Sequence, residues 1–330
     1  MRQADHVAHL PAENAKGEKL LLGVHFVDMT PELINTWRKT VQPLINKHYS
    51  KAPKPTKGAA AALQSQKQEP NFAVITDKAE HSVGQSPVHE EIQEAVEQIE
   101  AIASAGLIEK LDCAVGTGVV SASTSLAAEL HAVGSAKPKV RTRADVKWSW
   151  RQNYFLHSAY SKWRRKYFKG GESKAVCMVV HKGGRVIPIG MLTMVPDFTC
   201  KILDRTKERA FTWYLSDAPR EFYSKALGLK RIEHIAHALV DYTVQAGIEV
   251  NQETNLVLRS DPDGGDRLRD FYTRIGLSPL PDDHPAISTA RFWNKDGYFK
   301  LMSEKSTEFC SAMDVYRASR TRNLSPVANA

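Results

Sequence analysis

The chain has 330 residues, 42% of them hydrophobic, which is enough to bury the core of one large or two ordinary domains. Its net charge of +8 favours an acidic partner, such as nucleic acid, an anionic surface or a phosphate-rich small molecule. The four cysteines lie far apart and form no CxxC pair, which argues against a disulfide framework and against a cysteine-based zinc site.

The sequence predicts a protein without a membrane span. It has no apolar run typical of a secretory signal peptide or of a bilayer-spanning helix. We therefore expect a cytoplasmic protein. Secretion as a bacterial effector by a route that needs no cleaved signal stays open, because such signals are weak in composition.

The N-terminal part predicts a strand followed by a helix. Residues 1–19 alternate polar and small residues, and we assign them to a flexible N-terminus. The apolar run at 20–27 predicts a strand. Thr30 can cap a helix that has Pro31 at its first position, and the apolar residues that follow recur at helical spacing. We assign this strand and helix to residues 20–48.

Residues 49–145 are interpreted as a linker and helical insertion. Up to residue 87 the composition shifts to Lys, Pro, Ala, Gln and Ser, which is typical of a linker. An apolar stripe between residues 87 and 106 predicts an amphipathic helix, and a shorter helix is predicted at 125–133. The Gly116-Thr117-Gly118 segment lacks the rest of a phosphate-binding motif and predicts an ordinary turn.

A basic helix rich in aromatic residues is predicted at 147–168. Its aromatic residues share one side, and its last turns together with the following residue carry five cations, at Lys162, Arg164, Arg165, Lys166 and Lys169. Packing of the aromatic side on a core, with the charges favoured by the helix dipole, is one interpretation. Contact with nucleic acid through the basic residues is the other.

The periodicity then changes to strands. Two strands flank a tight turn at Lys182-Gly183-Gly184, which predicts an antiparallel hairpin. The predicted elements, in chain order, are strands at 175–181, 185–195 and 210–215, a helix at 231–246, a strand at 255–259, a helix at 268–275, and a hairpin around 294–297. The fold class is therefore mixed α/β, with an α+β arrangement.

This order resembles that of the GNAT superfamily of N-acyltransferases over residues 146–302. The segment Asp270-Phe271-Tyr272-Thr273-Arg274-Ile275-Gly276-Leu277 is similar to the family segment in which a tyrosine lies beside the thioester sulfur. The resemblance implies a mostly antiparallel twisted sheet flanked by helices, with Tyr272 as the proton donor to the leaving thiolate. A phenol held beside a thiolate can do this. A tyrosine packed in the core is the alternative. Residues 303–330 are assigned separately to a C-terminal helix and tail.

A second match is Leu215-Ser216-Asp217-Ala218-Pro219, which resembles the end of the fourth strand of the family. There a splayed pair of parallel strands exposes backbone groups with which the pantetheine arm of coenzyme A pairs. The resemblance assigns this role to Tyr214, Leu215 and Asp217. Asp217 and Glu208 are the carboxylates nearest to this strand, and we select Asp217 as the candidate general base.

The phosphate-binding segment allows two alignments. The family pattern is Arg or Gln, two residues, Gly, one residue, then Gly or Ala. The segment Lys225-Ala226-Leu227-Gly228-Leu229-Lys230 keeps the basic start and the first glycine, so we prefer Lys225, Gly228, Leu229, Lys230 and Arg231 as cofactor-binding residues. The alternative, Arg231-Ile232-Glu233-His234-Ile235-Ala236, keeps Arg and Ala but has His234 in place of the glycine.

Two further groups of residues are interpreted as follows. The Asp261–Asp266 segment lacks the spacing of a calcium loop and predicts a turn that caps a helix. In the family this loop lies near the cofactor and often carries an asparagine. Asp263 or Gly265 replaces that asparagine here, and we take Asp263 as a cofactor-binding candidate. His234 and His237 could share a helix face but have no third ligand, so no metal is expected.

Together these features predict an acyl-coenzyme A-dependent N-acyltransferase. The expected donor is acetyl-CoA or another acyl-CoA, used as a co-substrate, with direct transfer in a ternary complex. The acceptor amine, on a small molecule or a protein, is not legible in the sequence. The alternative function is a non-catalytic basic protein that binds nucleic acid or another acidic macromolecule through residues 162–169.

Overall fold

The computed structural model describes residues 6–52, 141–167, 172–202, 205–252, 254–281 and 297–317. All of them belong to one compact unit, which comprises Met1–Pro53 and Val140–Ala330. The second unit, Lys54–Lys139, lies outside the described residues, and so do the two predicted helices of the insertion.

The N-terminal part contributes strands to two sheets. Strand β1 (His9–Asn14) falls in the part of the sequence that we assigned to a flexible N-terminus. It pairs with β2 (Lys19–Gly23) on one side and with a distant strand, β9 (Leu229–Ile232), on the other. The single strand predicted at 20–27 is divided at the buried Val24, so that β3 (His25–Asp28) joins the main sheet.

Two short helices follow. Helix α1 (Pro31–Thr40) begins as predicted, with Thr30 Oγ1 accepting a hydrogen bond from the Leu33 N–H at 3.4 Å. Helix α2 (Gln42–His48) leads into β4 (Tyr49–Ser50), which pairs in parallel with β5 (Arg141–Thr142). The two points at which the chain leaves and re-enters this unit therefore lie side by side.

The main sheet has seven strands, in the order β11-β12-β10-β8-β7-β6-β3. Its remaining strands are β6 (Lys174–Lys182), β7 (Arg185–Ile202), β8 (Arg205–Asp217), β10 (Leu256–Ser260), β11 (Ser278–Pro279) and β12 (Gly297–Leu301). Neighbours are antiparallel except for β8 and β10. The predicted hairpin turn is present, because Gly183 and Gly184 both have positive φ, at 55° and 71°.

Five further helices flank the sheet: α3 (Trp150–Tyr167), α4 (Arg220–Ala226), α5 (Ile235–Asn251), α6 (Gly265–Arg274) and α7 (Ser303–Met313). The apolar α5 connects the region of β8 to β10 and packs on β7 and β8. The mixed α+β class and the mostly antiparallel sheet flanked by helices, as expected from the GNAT resemblance, are thus confirmed.

Helix α3 packs part of its aromatic side on the sheet, whereas Phe155 on that side is 59% exposed. Tyr160 meets Trp213 edge to face at 5.3 Å. Arg164, one of the basic residues considered for nucleic-acid contact, is buried and forms an ion pair with Asp197 at 2.9 Å. Lys162 and Arg165 lie on the surface, whereas Lys169 lies outside the described residues. No described helix is long and apolar enough to cross a membrane.

Candidate functional site

A cavity of about 400 Å³ lies where β8 and β10 end, and it collects residues from distant parts of the chain. Among the sequence-predicted site residues, those that line it are Tyr214, Leu215, Asp217, Arg231 and Tyr272. Residues that were not selected from the sequence also line it, among them Arg143, Asp145, Trp148, Ala236 and Arg259. The volume is in the usual range for a small-molecule site.

The cavity is opened by the divergence of the two parallel strands. The paired stretch of β8 and β10 ends at Thr212 and Leu258, although β8 continues to Asp217 alongside β7. A β-bulge at this point makes Trp213 an extra residue between Thr212 and Tyr214. Because a bulge bends its strand, it turns the end of β8 away from β10 and leaves that edge facing the cavity.

Tyr272 reaches the cavity from α6. It is 4% exposed and packs on Phe299, with ring centroids 5.2 Å apart. Burial, followed by the charges of Asp261, Asp145 and Asp217, raises the pKa of Tyr272 well above its ordinary value. The hydroxyl therefore keeps its proton at neutral pH, as a proton donor must.

The beginning of α5 forms the wall across from α6. Ala236, in its first turn, lines the cavity together with Arg231. His234 precedes the helix in a left-handed conformation, with φ 63°, which is the backbone shape that the glycine of the family pattern would favour. Its side chain caps no amide, so the first-turn N–H groups stay available for an anion.

Charges of both signs lie at this helix start, where Arg231 pairs with Glu233. Burial, then His234 and Arg274, lowers the pKa of His237 to about 4. Burial and Arg231 likewise lower the pKa of His234. Among the described residues that line the cavity, seven are arginines, Arg141, Arg143, Arg220, Arg231, Arg259, Arg267 and Arg274, and three are carboxylates, Asp145, Asp217 and Asp261. Such an excess suits a phosphate-rich ligand.

Most residues of the preferred alignment lie elsewhere. Lys225 is in the last turn of α4, and Gly228, with φ 71°, forms the turn into β9. Gly228, Leu229 and Lys230 line a second, more open depression, of about 490 Å³, together with Ser224. Lys230 pairs with Glu13 at 2.6 Å. Among the residues of the two alignments, Arg231 is the one that is a candidate in both and also lines the main cavity.

Asp263 lies in a 3₁₀ turn, Pro262–Gly264, ahead of α6. Its carboxylate accepts a hydrogen bond from Lys51 Nζ at 2.5 Å, and its neighbours Asp261 and Gly264 line the cavity. A side chain at Gly264 would meet Leu268 Cδ2 at 2.5 Å, which explains the glycine. The structure thus places Asp263 at the edge of the cavity.

Asp217 is held by a residue that the sequence analysis did not select. Arg143 Nη2 donates to Asp217 Oδ1 at 2.9 Å and to the Asp217 backbone oxygen at 2.7 Å. Trp148, four residues after Ala144, meets Tyr214 edge to face at 5.3 Å. These residues belong to, or directly follow, the segment interpreted as an insertion, and no motif marks them. Within the described residues, no group of three or more His, Cys, Asp or Glu is placed to hold a metal ion.

Comparison with protein families and with curated proteins gives no match. Among solved structures, the chain is similar to a mutant AtaT toxin bound to the C-terminus of the antitoxin AtaR and acetyl-CoA. The TM-score is 0.30 and the identity 11%, over 47% of this chain and 81% of that one. A KacTA–DNA complex gives a TM-score of 0.30 and 10% identity, over 47% and 86% of the two chains. The function proposed below rests on the cavity itself.

Proposed function

We propose that this protein is an acyl-CoA-dependent N-acyltransferase that moves an acyl group, most simply acetyl, directly to an amine. The observation that carries the proposal is the joint presence, in one cavity, of a splayed strand end, an uncapped helix start and a buried tyrosine hydroxyl. These are the parts needed to hold an extended arm, bind a pyrophosphate and protonate a thiolate.

The donor would lie along the β8 edge. Its pantetheine arm would pair with the backbone at Tyr214 and Leu215, where β10 has diverged. Its pyrophosphate would lie on the first-turn amides of α5, beside Arg231 and Ala236. We therefore propose the alignment that begins at Arg231 for the phosphate-binding segment, with His234 supplying the left-handed backbone.

The chemistry requires two proton movements. The amine attacks the thioester carbonyl and loses a proton, and the leaving thiolate of coenzyme A gains one. Tyr272 is the proposed donor to the thiolate, because it lines the cavity into which the strand end of β8 opens and is protonated at neutral pH. Asp217, at the end of β8, is the proposed acceptor of the proton from the amine, directly or through water.

Two matched substitutions, each of which introduces a carboxylate, test where the donor binds. Ala236→Glu puts a negative charge at the start of α5, which the helix dipole tolerates but a phosphate would not. Like charges about 4 Å apart repel by about 4 kcal/mol at an effective dielectric constant near 20, so calorimetry should show coenzyme A binding weakened by at least about 100-fold. Ser224→Glu, in the second depression, should bind within about threefold of wild type.

Other outcomes are equally informative. Loss of binding in Ser224→Glu alone would move the phosphate site to Gly228 and Lys230. If the wild type binds no coenzyme A, but binds DNA or RNA tightly with a steep salt dependence, the basic binding protein becomes the better interpretation.

A further inference from the structure

A buried network of polar groups connects the segment after residue 140 to the end of β8. Arg143 Nε donates to Asp145 Oδ1 at 2.8 Å, and Arg143 Nη2 donates to Asp145 Oδ2 at 2.6 Å. Ser216 Oγ donates to the same Asp145 Oδ2 at 2.5 Å. Since Arg143 also binds Asp217, one guanidinium joins two carboxylates at adjacent points of the cavity wall.

The guanidinium is a permanent cation in this position. Its side chain is 17% exposed, and that of Asp145 is 5% exposed. Burial by itself would lower the pKa of Arg143, but the carboxylates of Asp217 and Asp145 outweigh burial and raise that pKa. The Tyr49 ring lies 5.2 Å from the guanidinium carbon and covers one face. The arginine therefore has little freedom to leave its partners.

The two carboxylates differ in how many of their oxygens are bound and in how exposed they are. Asp145 uses both oxygens, on Arg143 and Ser216, and is enclosed. Asp217 is held through Oδ1 and its backbone oxygen, while its side chain is 38% exposed. Asp217 is thus fixed in orientation and still accessible from the cavity, whereas both oxygens of Asp145 are engaged by hydrogen bonds.

We propose that Arg143 is a positioning residue for acyl transfer: it holds the Asp217 carboxylate and the last residues of β8 in one arrangement, with Asp145 fixing the arginine in turn. This role rests on the function proposed above. It makes the segment at 141–145 a part of the active cavity, although the sequence assigned these residues to the end of the insertion. Without Arg143, the strand end and the carboxylate would each lose an anchor.

A purely structural role would give a different result. Arg143 could act only by holding β5 beside β4. Its loss would then lower the stability of the fold without lowering kcat selectively, relative to coenzyme A affinity. The decisive experiment therefore measures kcat, coenzyme A affinity and thermal melting for each variant.

The experiment follows free thiol released from acetyl-CoA in the presence of a mixture of primary amines: spermidine, glucosamine and a lysine peptide. Arg143→Ala should lower kcat by about 100-fold, because a displaced reacting group costs about that much, with coenzyme A affinity kept within about threefold. Arg143→Lys should lower kcat roughly tenfold, because an ammonium cannot bridge both carboxylates as a fork. Arg38→Ala, on the exposed side of α1, is the matched control and should resemble wild type.

Added guanidinium, at concentrations too low to unfold the protein, should raise the kcat of Arg143→Ala and leave that of Arg38→Ala unchanged. The positioning role is refuted if Arg143→Ala or, should that variant not fold, Arg143→Lys turns over like wild type. It is also refuted if stability falls with no change in kcat. A wild-type protein that releases no thiol refutes the transfer function itself, which is a separate result.

Discussion

At the scale of single residues, Tyr272 is both a core residue and the proposed proton donor. Tyr272 is enclosed by apolar neighbours on α6 and β12, while three carboxylates raise its pKa together with burial. The side chain also lines the cavity, where it is protonated at neutral pH. Packing in the core is therefore compatible with the proposed role as proton donor.

Tyr272→Phe separates the two roles. The ring and its packing remain, so coenzyme A affinity should stay within about twofold, whereas kcat should fall by about 100-fold, since general acid catalysis commonly contributes that much or more. In wild type the alkaline loss of activity should lie above pH ~10, the usual pKa of a phenol, because the Tyr272 pKa is raised. Tyr242→Phe, a buried tyrosine that stacks on Phe26, is the control.

An unchanged kcat in Tyr272→Phe, measured by thiol release, would leave Tyr272 as a core residue only.

Residue motifs were enough to select this tyrosine and the strand end at Tyr214 and Leu215, because both belong to contiguous segments. They could not select Arg143, which binds Asp217, or Asp145, which binds Ser216, because both contacts are tertiary and span more than seventy residues.

At the scale of secondary-structure elements, most strands and helices were predicted from local periodicity, and the differences have non-local causes. The helix predicted from residue 231 begins at Ile235, because Leu229–Ile232 pairs with β1 as a strand. The same helix continues past Gly247 to Asn251, since Gly247 is buried inside it rather than at its end. The sequence within a window of ten residues does not identify a partner strand more than two hundred residues away.

The turn at Gly228 offers a prediction at this scale. Gly228 has φ 71°, where a β-branched residue is strained, so Gly228→Val should lower the free energy of unfolding by roughly 1–2 kcal/mol. Coenzyme A affinity should not change, because Gly228 lies outside the main cavity. Gly23→Val is the matched control, since a Cβ there meets nothing within 4 Å. Denaturant melts and calorimetry on both variants test this.

If Gly228→Val folds normally but binds coenzyme A poorly, the phosphate group contacts this turn after all. His234 also has a left-handed backbone. No motif could indicate this conformation, because histidine adopts it only when its surroundings require it.

At the scale of the whole molecule, stability should depend on buried histidines. His157, in α3, is 5% exposed, and its Nε2 has no hydrogen-bond partner within the described part of the chain. Burial lowers the pKa of His157 to about 4, against a smaller opposite effect of the Lys174 backbone. Because the unfolded chain takes up this proton near pH 6.5, the neutral histidine stabilises the fold above that pH.

The stabilisation should be lost as the pH falls from 6.5 towards about 4, the folded pKa of His157. His157→Gln cannot take up that proton, so its Tm should fall less steeply than that of wild type over this range. Melting curves at several pH values measure the slopes, with the exposed His48→Gln as control. Parallel slopes for wild type and His157→Gln would show that His157 does not govern the acid response.

The pairing of β4 with β5 has a consequence for how the chain can vary. Tyr49 and Arg141 are neighbours in space, so the chain between them forms a closed loop as soon as the fold is complete. The entropy lost on closing such a loop grows only with the logarithm of its length, and each doubling adds only about 0.6 kcal/mol. A change in the length of the intervening chain therefore adds little closure entropy, and we expect length variants of that segment to keep β4 paired with β5.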